Sequence, residues 1–137
     1  MNWAFFIFNH IVQQLTFMYY IGIDLGSSSI KIALVEASTG KKVTVVQEPE
    51  EEMSMMATKP GWAEQSPELW WELVCKGIKR ILKDYKISPA NISGLGIAYQ
   101  MHGLVIVDTD GIPLRNSIIW CDSRAVDIGE NLFQNSG

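Results

Sequence analysis

The stretch that decides the fold is residues 19–36, which read YYIGIDLGSSSIKIALVE. Its two apolar halves, residues 19–25 and 30–36, flank the small polar run GSSS. Apolar runs of this length, bounded by glycine and serine, predict strands joined by a tight turn. A third run, residues 43–46, follows a turn at residues 38–41, so the sequence predicts an antiparallel meander of three strands.

One long helix is predicted after this meander. Ser66 is a suitable N-cap, Pro67 suits the first helical position, and Ser88 with Pro89 ends the pattern. The apolar residues between them follow the i, i+3, i+4, i+7 spacing of one buried helix face: Trp70, Leu73, Val74, Gly77, Ile78, Ile81, Leu82 and Tyr85.

Shorter elements are predicted downstream of this helix. Strands are expected at residues 92–98, 104–107 and 118–120, and an amphipathic helix at residues 125–133. The predicted order is β-β-β-α-β-β-β-α, which indicates an α/β fold built on a mixed sheet.

Composition narrows the classes of function. The 137 residues are 47% hydrophobic and 19% charged, as in an ordinary globular domain, and the net charge of −4 comes with no basic patch. Nucleic-acid binding is therefore not expected. Cys75 and Cys121 lack the spacing of a metal site and are expected to be reduced thiols of a cytoplasmic protein. We interpret the acidic cluster as a solvated turn, formed by Glu48, Glu50, Glu51 and Glu52.

Residues 1–17 differ from the rest because their apolar pattern is broken by Asn9, His10, Gln13 and Gln14. No run there approaches the ~18–20 apolar residues that span a bilayer, and no signal-peptide pattern is present. We interpret residues 1–17 as an extension upstream of a natural start at Met18, with residues 18–137 as the folded unit and no membrane partner. A short helix that binds a membrane surface or a partner protein is the alternative.

The first turn of the meander carries groups that suit a nucleotide's phosphates. Gly26 lets the backbone turn tightly, and the hydroxyls of Ser27 and Ser28 with nearby N–H groups can form an anion-binding concavity. Lys31 adds a positive charge, and Asp24, at a strand end, could hold a Mg²⁺-bound water. No Walker P-loop is present. The alternative is a serine-rich hairpin turn with no ligand.

A second polar group interrupts the later strands. Gln100, Met101 and His102 follow the predicted strand at residues 92–98, and a histidine there can hydrogen-bond a sugar hydroxyl. Trp120 ends the strand predicted at residues 118–120 and Asp122 follows it, and an aromatic ring beside a carboxylate suits a sugar. The alternative for both groups is a structural role in the core.

Four motifs taken together and in order resemble the FGGY family of carbohydrate kinases, over residues 19–137. IGIDLGSS at residues 21–28 resembles the family's opening phosphate motif. PGWAEQSPELWW at residues 60–71 resembles its W-x-E-Q-x-P-x-x-W-W element. GIAYQMHG at residues 96–103 resembles the Q-M-H-G of xylulokinases, and IWCDSR at residues 119–124 is similar to the W-x-D-x-R that follows.

The resemblance implies an actin-like, ribonuclease-H-like ATPase fold, in which residues 18–137 form the first part of an N-terminal domain. It implies ATP and Mg²⁺ as cofactors and a ketopentose as substrate, with D-xylulose converted to xylulose 5-phosphate. The nucleotide side would comprise Asp24, Gly26, Ser27, Ser28 and Lys31, with Asp24 holding Mg²⁺ through water. The sugar side would comprise Gln100, Met101, His102, Trp120 and Asp122.

The same resemblance sets the limits of this expectation. The catalytic-base aspartate of the family is expected downstream of these residues, so we expect no catalytic residue here and no activity from the chain alone. A homodimer of the full-length enzyme is left open. The alternatives are a kinase for another sugar or polyol, and a non-catalytic actin-like sugar-binding domain.

Overall fold

The computed structural model of the chain describes residues 17–136. In chain order, the described part contains β1 (Tyr19–Leu25), β2 (Ile30–Glu36), β3 (Lys42–Glu48), β4 (Glu64–Gln65), α1 (Pro67–Asp84), a 3₁₀ turn (Pro89–Asn91), β5 (Ile92–Tyr99), β6 (Ser117–Ile118) and α2 (Val126–Ser136).

Four of these strands form a mixed sheet in the order β3-β2-β1-β5. β1, β2 and β3 make the predicted antiparallel meander, and β5 runs parallel to β1 on its other side. A parallel neighbour requires a crossover, and the connection through α1 supplies it. The predicted α/β class with a mixed sheet is therefore confirmed.

The core lies between one face of this sheet and α1. Side chains alternate along a strand, and the register places Ile21 of β1 opposite Leu34 of β2 and Ile23 opposite Ile32, all on that face. The buried residues that pack together there are Ile21, Ile23, Ile30, Ile32, Leu34, Met53, Leu73, Val74 and Ile81.

Helix α1 begins as predicted. The Ser66 hydroxyl accepts the N–H of Leu69 at 3.2 Å and so satisfies a donor that the first turn leaves free. The helix packs against β2 and β3, and Gly77 lets it come close, because a Cβ there would lie 2.3 Å from Cδ1 of Ile32. The helix ends at Asp84, one residue before the last apolar position of the predicted pattern.

The downstream elements differ in part from the prediction. The strand expected at residues 104–107 is reduced to single bridges, Leu104 to Ile118 and Val107 to Pro113. The strand expected at residues 118–120 is β6, which covers only Ser117–Ile118. It pairs with β4, a strand that the prediction did not contain, because a two-residue pairing leaves no periodic pattern. The final helix begins one residue later than predicted and extends to Ser136.

Glu48 corrects the interpretation of the acidic cluster as a solvated turn. Glu50, Glu51 and Glu52 are exposed, but Glu48 is fully buried. It ends β3 opposite Ile30, and that register turns its carboxylate toward α1, where the Lys76 ammonium lies 2.7 Å away and the Arg80 guanidinium 2.8 Å away. A buried carboxylate is tolerable when cations on a packed element neutralise it.

The proposed boundary at Met18 falls at the edge of the described residues. Residues 1–16 lie outside them, so the interpretation of residues 1–17 as an upstream extension stays a prediction. Within residues 17–136, no helix has the length and apolar character needed to cross a bilayer.

Candidate functional site

The predicted phosphate turn is a closed, tight connection between β1 and β2. The N–H of Gly26 donates to the carbonyl of Ser29 at 3.2 Å, and a Cβ on Gly26 would lie 3.0 Å from that oxygen, so a side chain fits poorly there. Ser29 is buried, Ser27 is partly buried and Ser28 is exposed. The turn thus presents the hydroxyls of Ser27 and Ser28 outward and secures Ser29 in the fold.

Ser27 lies between two side chains from distant parts of the chain. The Gln65 amide Nε2 donates to the Ser27 carbonyl at 2.6 Å. The Trp120 indole Nε1 donates to the Ser27 hydroxyl oxygen at 3.3 Å. A hydroxyl that accepts one bond still has its own O–H to donate, so Ser27 remains able to bind a phosphate oxygen.

Asp24 and Lys31 are exposed and face each other across β1 and β2. No ion pair within 4.0 Å links them in the part of the chain that the structure describes. Both line an open concavity of about 510 Å³ on the sheet face opposite α1, floored by small residues that include Gly22, Ala33, Gly96 and Ala98. An unneutralised carboxylate and an ammonium therefore share one rim.

The donor set fits Mg²⁺ bound together with phosphates. Among residues 17–136, no cluster of three His, Cys, Asp or Glu side chains could hold a metal ion. Mg²⁺ usually keeps several waters and takes one or two carboxylates plus substrate phosphates. Asp24 can supply that single carboxylate, with Lys31 at the same rim and the hydroxyls of Ser27 and Ser28 in the turn that follows β1.

The predicted sugar segment after β5 borders a second concavity of about 410 Å³. Gln100 and His102 line it, with Trp70, Tyr99 and Ser117 among the other walls. Both side-chain polar atoms of Gln100, Oε1 and Nε2, are buried and have no hydrogen-bond partner within the described residues.

The backbone also shapes this segment. The N–H of Gln100 donates to the Leu25 carbonyl at 3.1 Å, which extends the pairing of β1 with β5 by one residue. His102 has φ of 64°, a conformation that few residues other than glycine adopt. Met101 is exposed. An unsatisfied amide beside a strained histidine is an arrangement that often accompanies ligand binding.

Asp122 is placed differently from the other predicted sugar residues. Oδ2 accepts the Ala63 N–H at 2.6 Å and Arg124 Nη2 at 2.7 Å, and Oδ1 accepts the Arg124 N–H at 2.9 Å and Nε at 2.8 Å. A carboxylate has about four acceptor positions, and here the protein's own donors fill them. These bonds, first of all those from the Arg124 side chain, hold the pKa of Asp122 well below its usual range. The geometry is that of a structural residue and does not support sugar binding by Asp122.

The sequence matches one family model over residues 19–137: the FGGY family of carbohydrate kinases, N-terminal domain. The chain belongs to this family. The actin-like ATPase fold expected from the resemblance is confirmed by the solved kinases that this family member matches.

Curated and solved relatives agree on the class of protein. Xylulose kinase of Staphylococcus epidermidis (strain RP62A) is 41% identical over 104 residues, which are 76% of this family member and 20% of that protein. The structures of gluconate kinase and of ligand-bound xylulose kinase, both from Lactobacillus acidophilus, are each 30% identical, with TM-scores of 0.76 and 0.75. The matches cover 87% and 86% of this chain, respectively. In each case they cover 23% of the solved kinase. The chain thus spans about a fifth of the length of the curated relatives that it matches.

Sequence reasoning missed the residues that hold this site together. Gln65, Glu64 and Arg124 lie within the sequence motifs, but no local pattern indicates a role for any of them. In the structure, Arg124 Nη2 bonds Glu64 Oε1 at 2.7 Å and its guanidinium stacks on the Trp62 ring, 3.7 Å from the centroid. Arg115 also pairs with Glu64. The only sequence signal was the motif itself, because contacts across about 60 residues leave no local pattern.

Proposed function

We propose that a full-length protein carrying this chain transfers a phosphoryl group from ATP to a sugar, and that the sugar is D-xylulose. Membership of a carbohydrate kinase family supports the general reaction. Similarity to xylulose kinases, at 41% identity for the Staphylococcus epidermidis protein, supports the sugar. The short span of the chain relative to these proteins makes the activity a property of the longer protein.

The observation that carries this proposal is the hydrogen bond between Trp120 and Ser27. It joins the turn that we assign to phosphates to the segment that we assign to sugar, within 3.3 Å. Phosphoryl transfer depends mainly on holding donor and acceptor in line and stabilising charge, so the two binding regions must meet.

On the nucleotide side, ATP would supply the phosphoryl group, and Mg²⁺, when bound, would neutralise part of its charge. The hydroxyls of Ser27 and Ser28 donate to phosphate oxygens, and Gly26 allows the backbone to come close. Lys31 adds a positive charge at the rim, and Asp24 would hold Mg²⁺ through water.

On the sugar side, uncharged hydroxyls need hydrogen bonds and an apolar surface. Gln100 offers an amide with a free donor and acceptor, and His102 offers a ring nitrogen. The exposed Trp120 ring and Met101 supply apolar surface. We assign the general base that removes the hydroxyl proton to an aspartate outside residues 17–136, and we place the protein in the cytoplasm because both cysteines are free thiols.

The second candidate is a kinase for another sugar or polyol. It is favoured by the similarity to gluconate kinase, with 30% identity and a TM-score of 0.76. A coupled ADP-release assay of the full-length protein with D-xylulose, L-xylulose, gluconate and glycerol separates the two. We expect kcat/KM to be highest for D-xylulose. A higher value for another substrate reassigns the sugar. Sugar binding by calorimetry without any turnover would indicate a non-catalytic domain.

A further inference from the structure

Gln65 is a buried polar side chain, and both polar atoms of its amide, Nε2 and Oε1, have a hydrogen-bond partner. Its side chain is almost fully buried, at 2% exposure. Nε2 donates to the Ser27 carbonyl at 2.6 Å, and Oε1 accepts from the Trp70 indole at 3.3 Å. The amide therefore bridges the phosphate turn and the first turn of α1.

The backbone of Gln65 is also held, through strand pairing and through the start of α1. Gln65 pairs with Ser117 in the β4–β6 ladder, and Ser117 is fully buried. The next residue, Ser66, caps α1. Gln65 thus cannot move independently of the small sheet, which leads directly into Trp120, or of the helix.

An apolar side chain of similar size would fill this position without the cost of burying an amide. A buried amide is tolerated where its hydrogen bonds are satisfied, and here Nε2 donates to the Ser27 carbonyl. Glutamine also supplies the acceptor for Trp70 from the same planar group. The side chain therefore holds the inner side of Ser27 while the Ser27 hydroxyl stays on the side of Trp120.

We propose that Gln65 is a positioning residue for the nucleotide, acting through Ser27 by fixing the backbone of the phosphate turn. The proposal rests on the proposed kinase function, in which this turn binds phosphates. It assigns no chemical step to Gln65, because its amide is turned toward the protein on both sides.

Two variants of the full-length protein test this role. Gln65→Met keeps the length of the side chain but removes the donor to Ser27 and the acceptor for Trp70. Gln134→Met is the matched control, because it makes the same change at an exposed residue of α2 that lines neither concavity. A hydrogen bond of ordinary net strength corresponds to a factor of about two to twelve, so we expect Gln65→Met to raise KM for MgATP by about that factor with an unchanged KM for the sugar. Gln134→Met should leave both KM values unchanged.

Hydrogen exchange of the ligand-free protein gives a readout that is independent of turnover. Peptides covering residues 24–30 should exchange faster in Gln65→Met and at the normal rate in Gln134→Met. Unchanged exchange in Gln65→Met, or an equal rise of KM for MgATP in both variants, overturns the positioning role. If the wild-type protein phosphorylates no sugar, the kinase proposal fails, and the exchange experiment still decides whether Gln65 holds the turn.

Discussion

At the scale of single residues, the charged side chains near the site fall into two groups. Asp122 and Glu48 are neutralised by the protein itself, through Arg124 in one case and through Lys76 and Arg80 in the other. Asp24 and Lys31 are exposed and form no ion pair with each other in the described residues. Of these four side chains, Asp24 and Lys31 are therefore the two that remain available to a ligand, at the rim of the concavity opposite α1.

Asp24→Asn tests the metal assignment. Asparagine keeps the shape but removes the charge that would hold a hydrated Mg²⁺. Loss of an outer-sphere partner of a metal typically costs roughly ten- to a hundredfold in metal affinity or activity, and we expect kcat of the full-length enzyme to fall in that range. The measurement is kcat as a function of Mg²⁺ concentration, together with the melting temperature, which should change little.

Asp84→Asn is the control for Asp24→Asn, because Asp84 is an exposed carboxylate at the end of α1 that lines neither concavity. It should behave as the wild type. If Asp24→Asn also keeps the wild-type rate and metal dependence, Asp24 has no role at the metal.

Asp122→Asn tests the closed Asp122–Arg124 arrangement through its pH dependence. The folded pKa lies below the ordinary value of about 3.9, so the ionised carboxylate stabilises the fold above that pH and loses its effect as the pH falls through the folded pKa. The variant should unfold at a lower urea concentration at pH 7. The difference from wild type should stay constant down to about pH 5 and shrink below about pH 4. A difference that does not shrink in acid contradicts this account.

At the scale of elements, α1 is attached to the meander by close packing and by ion pairs. Gly77 brings the helix against Ile32 of β2, and Glu48 at the end of β3 meets Lys76 and Arg80 one turn apart on the helix. The helix thus covers the side of the sheet beneath the phosphate turn and holds β2 and β3 in place.

Gly77→Ala should destabilise the fold although alanine is the better helix former. The added Cβ would lie 2.3 Å from Cδ1 of the fully buried Ile32, and overpacking of a core typically costs about 1–3 kcal/mol. Gly129→Ala in α2 is the control, since a Cβ there meets nothing within 4 Å and should stabilise by up to about 1 kcal/mol. Urea denaturation measures both. If Gly77→Ala instead raises the free energy of unfolding, α1 accommodates the added methyl group without overpacking the core, and the prediction is wrong.

Glu48→Gln should also weaken the attachment of α1. The amide fills the same space but leaves two cations without their carboxylate. Removing one partner of a buried pair costs about 3–5 kcal/mol, but Lys76 is 61% exposed and can regain water, so we expect about 1–3 kcal/mol. Glu50→Gln, at an 88% exposed side chain, should change stability by less than about 0.5 kcal/mol. Equal effects of the two substitutions in thermal unfolding would rule out a special role for Glu48.

At the scale of the whole molecule, much apolar surface is uncovered in the described part of the chain. Leu95, Ile97 and Tyr99 of β5 lie on the sheet face that carries Ile21 and Ile23, yet they are 61%, 63% and 70% exposed. Exposed apolar strands of this kind are suited to packing against further protein. The chain also spans about a fifth of the length of its curated relatives.

The 137-residue chain by itself should therefore show no sugar kinase activity. In our proposal it supplies groups for phosphates and for one side of the sugar, whereas catalysis also needs the base and the remaining positioning groups. Purified chain and full-length protein are compared at equal concentration by ADP release with MgATP and D-xylulose. Turnover by the 137-residue chain above the background without sugar contradicts our assignment of the base outside the described residues.

Local sequence patterns were sufficient to predict the long and regular elements of secondary structure. Alternation and flanking turns predicted the meander of β1, β2 and β3, and the Ser66 cap with a helical period predicted α1, because these signals reside in neighbouring residues. The ordered motifs were sufficient for the family.

Contacts between distant segments determined the rest. β4 exists because Glu64 meets Ile118, and the Glu48 carboxylate is buried because α1 brings cations to it. The pairing of Gln65 with Ser27 and the closure of Asp122 onto Ala63 and Arg124 also join separate segments. A residue's burial and bonding partners depend on what packs against it, and no periodicity along the chain records a neighbour that lies 38 or 59 residues away.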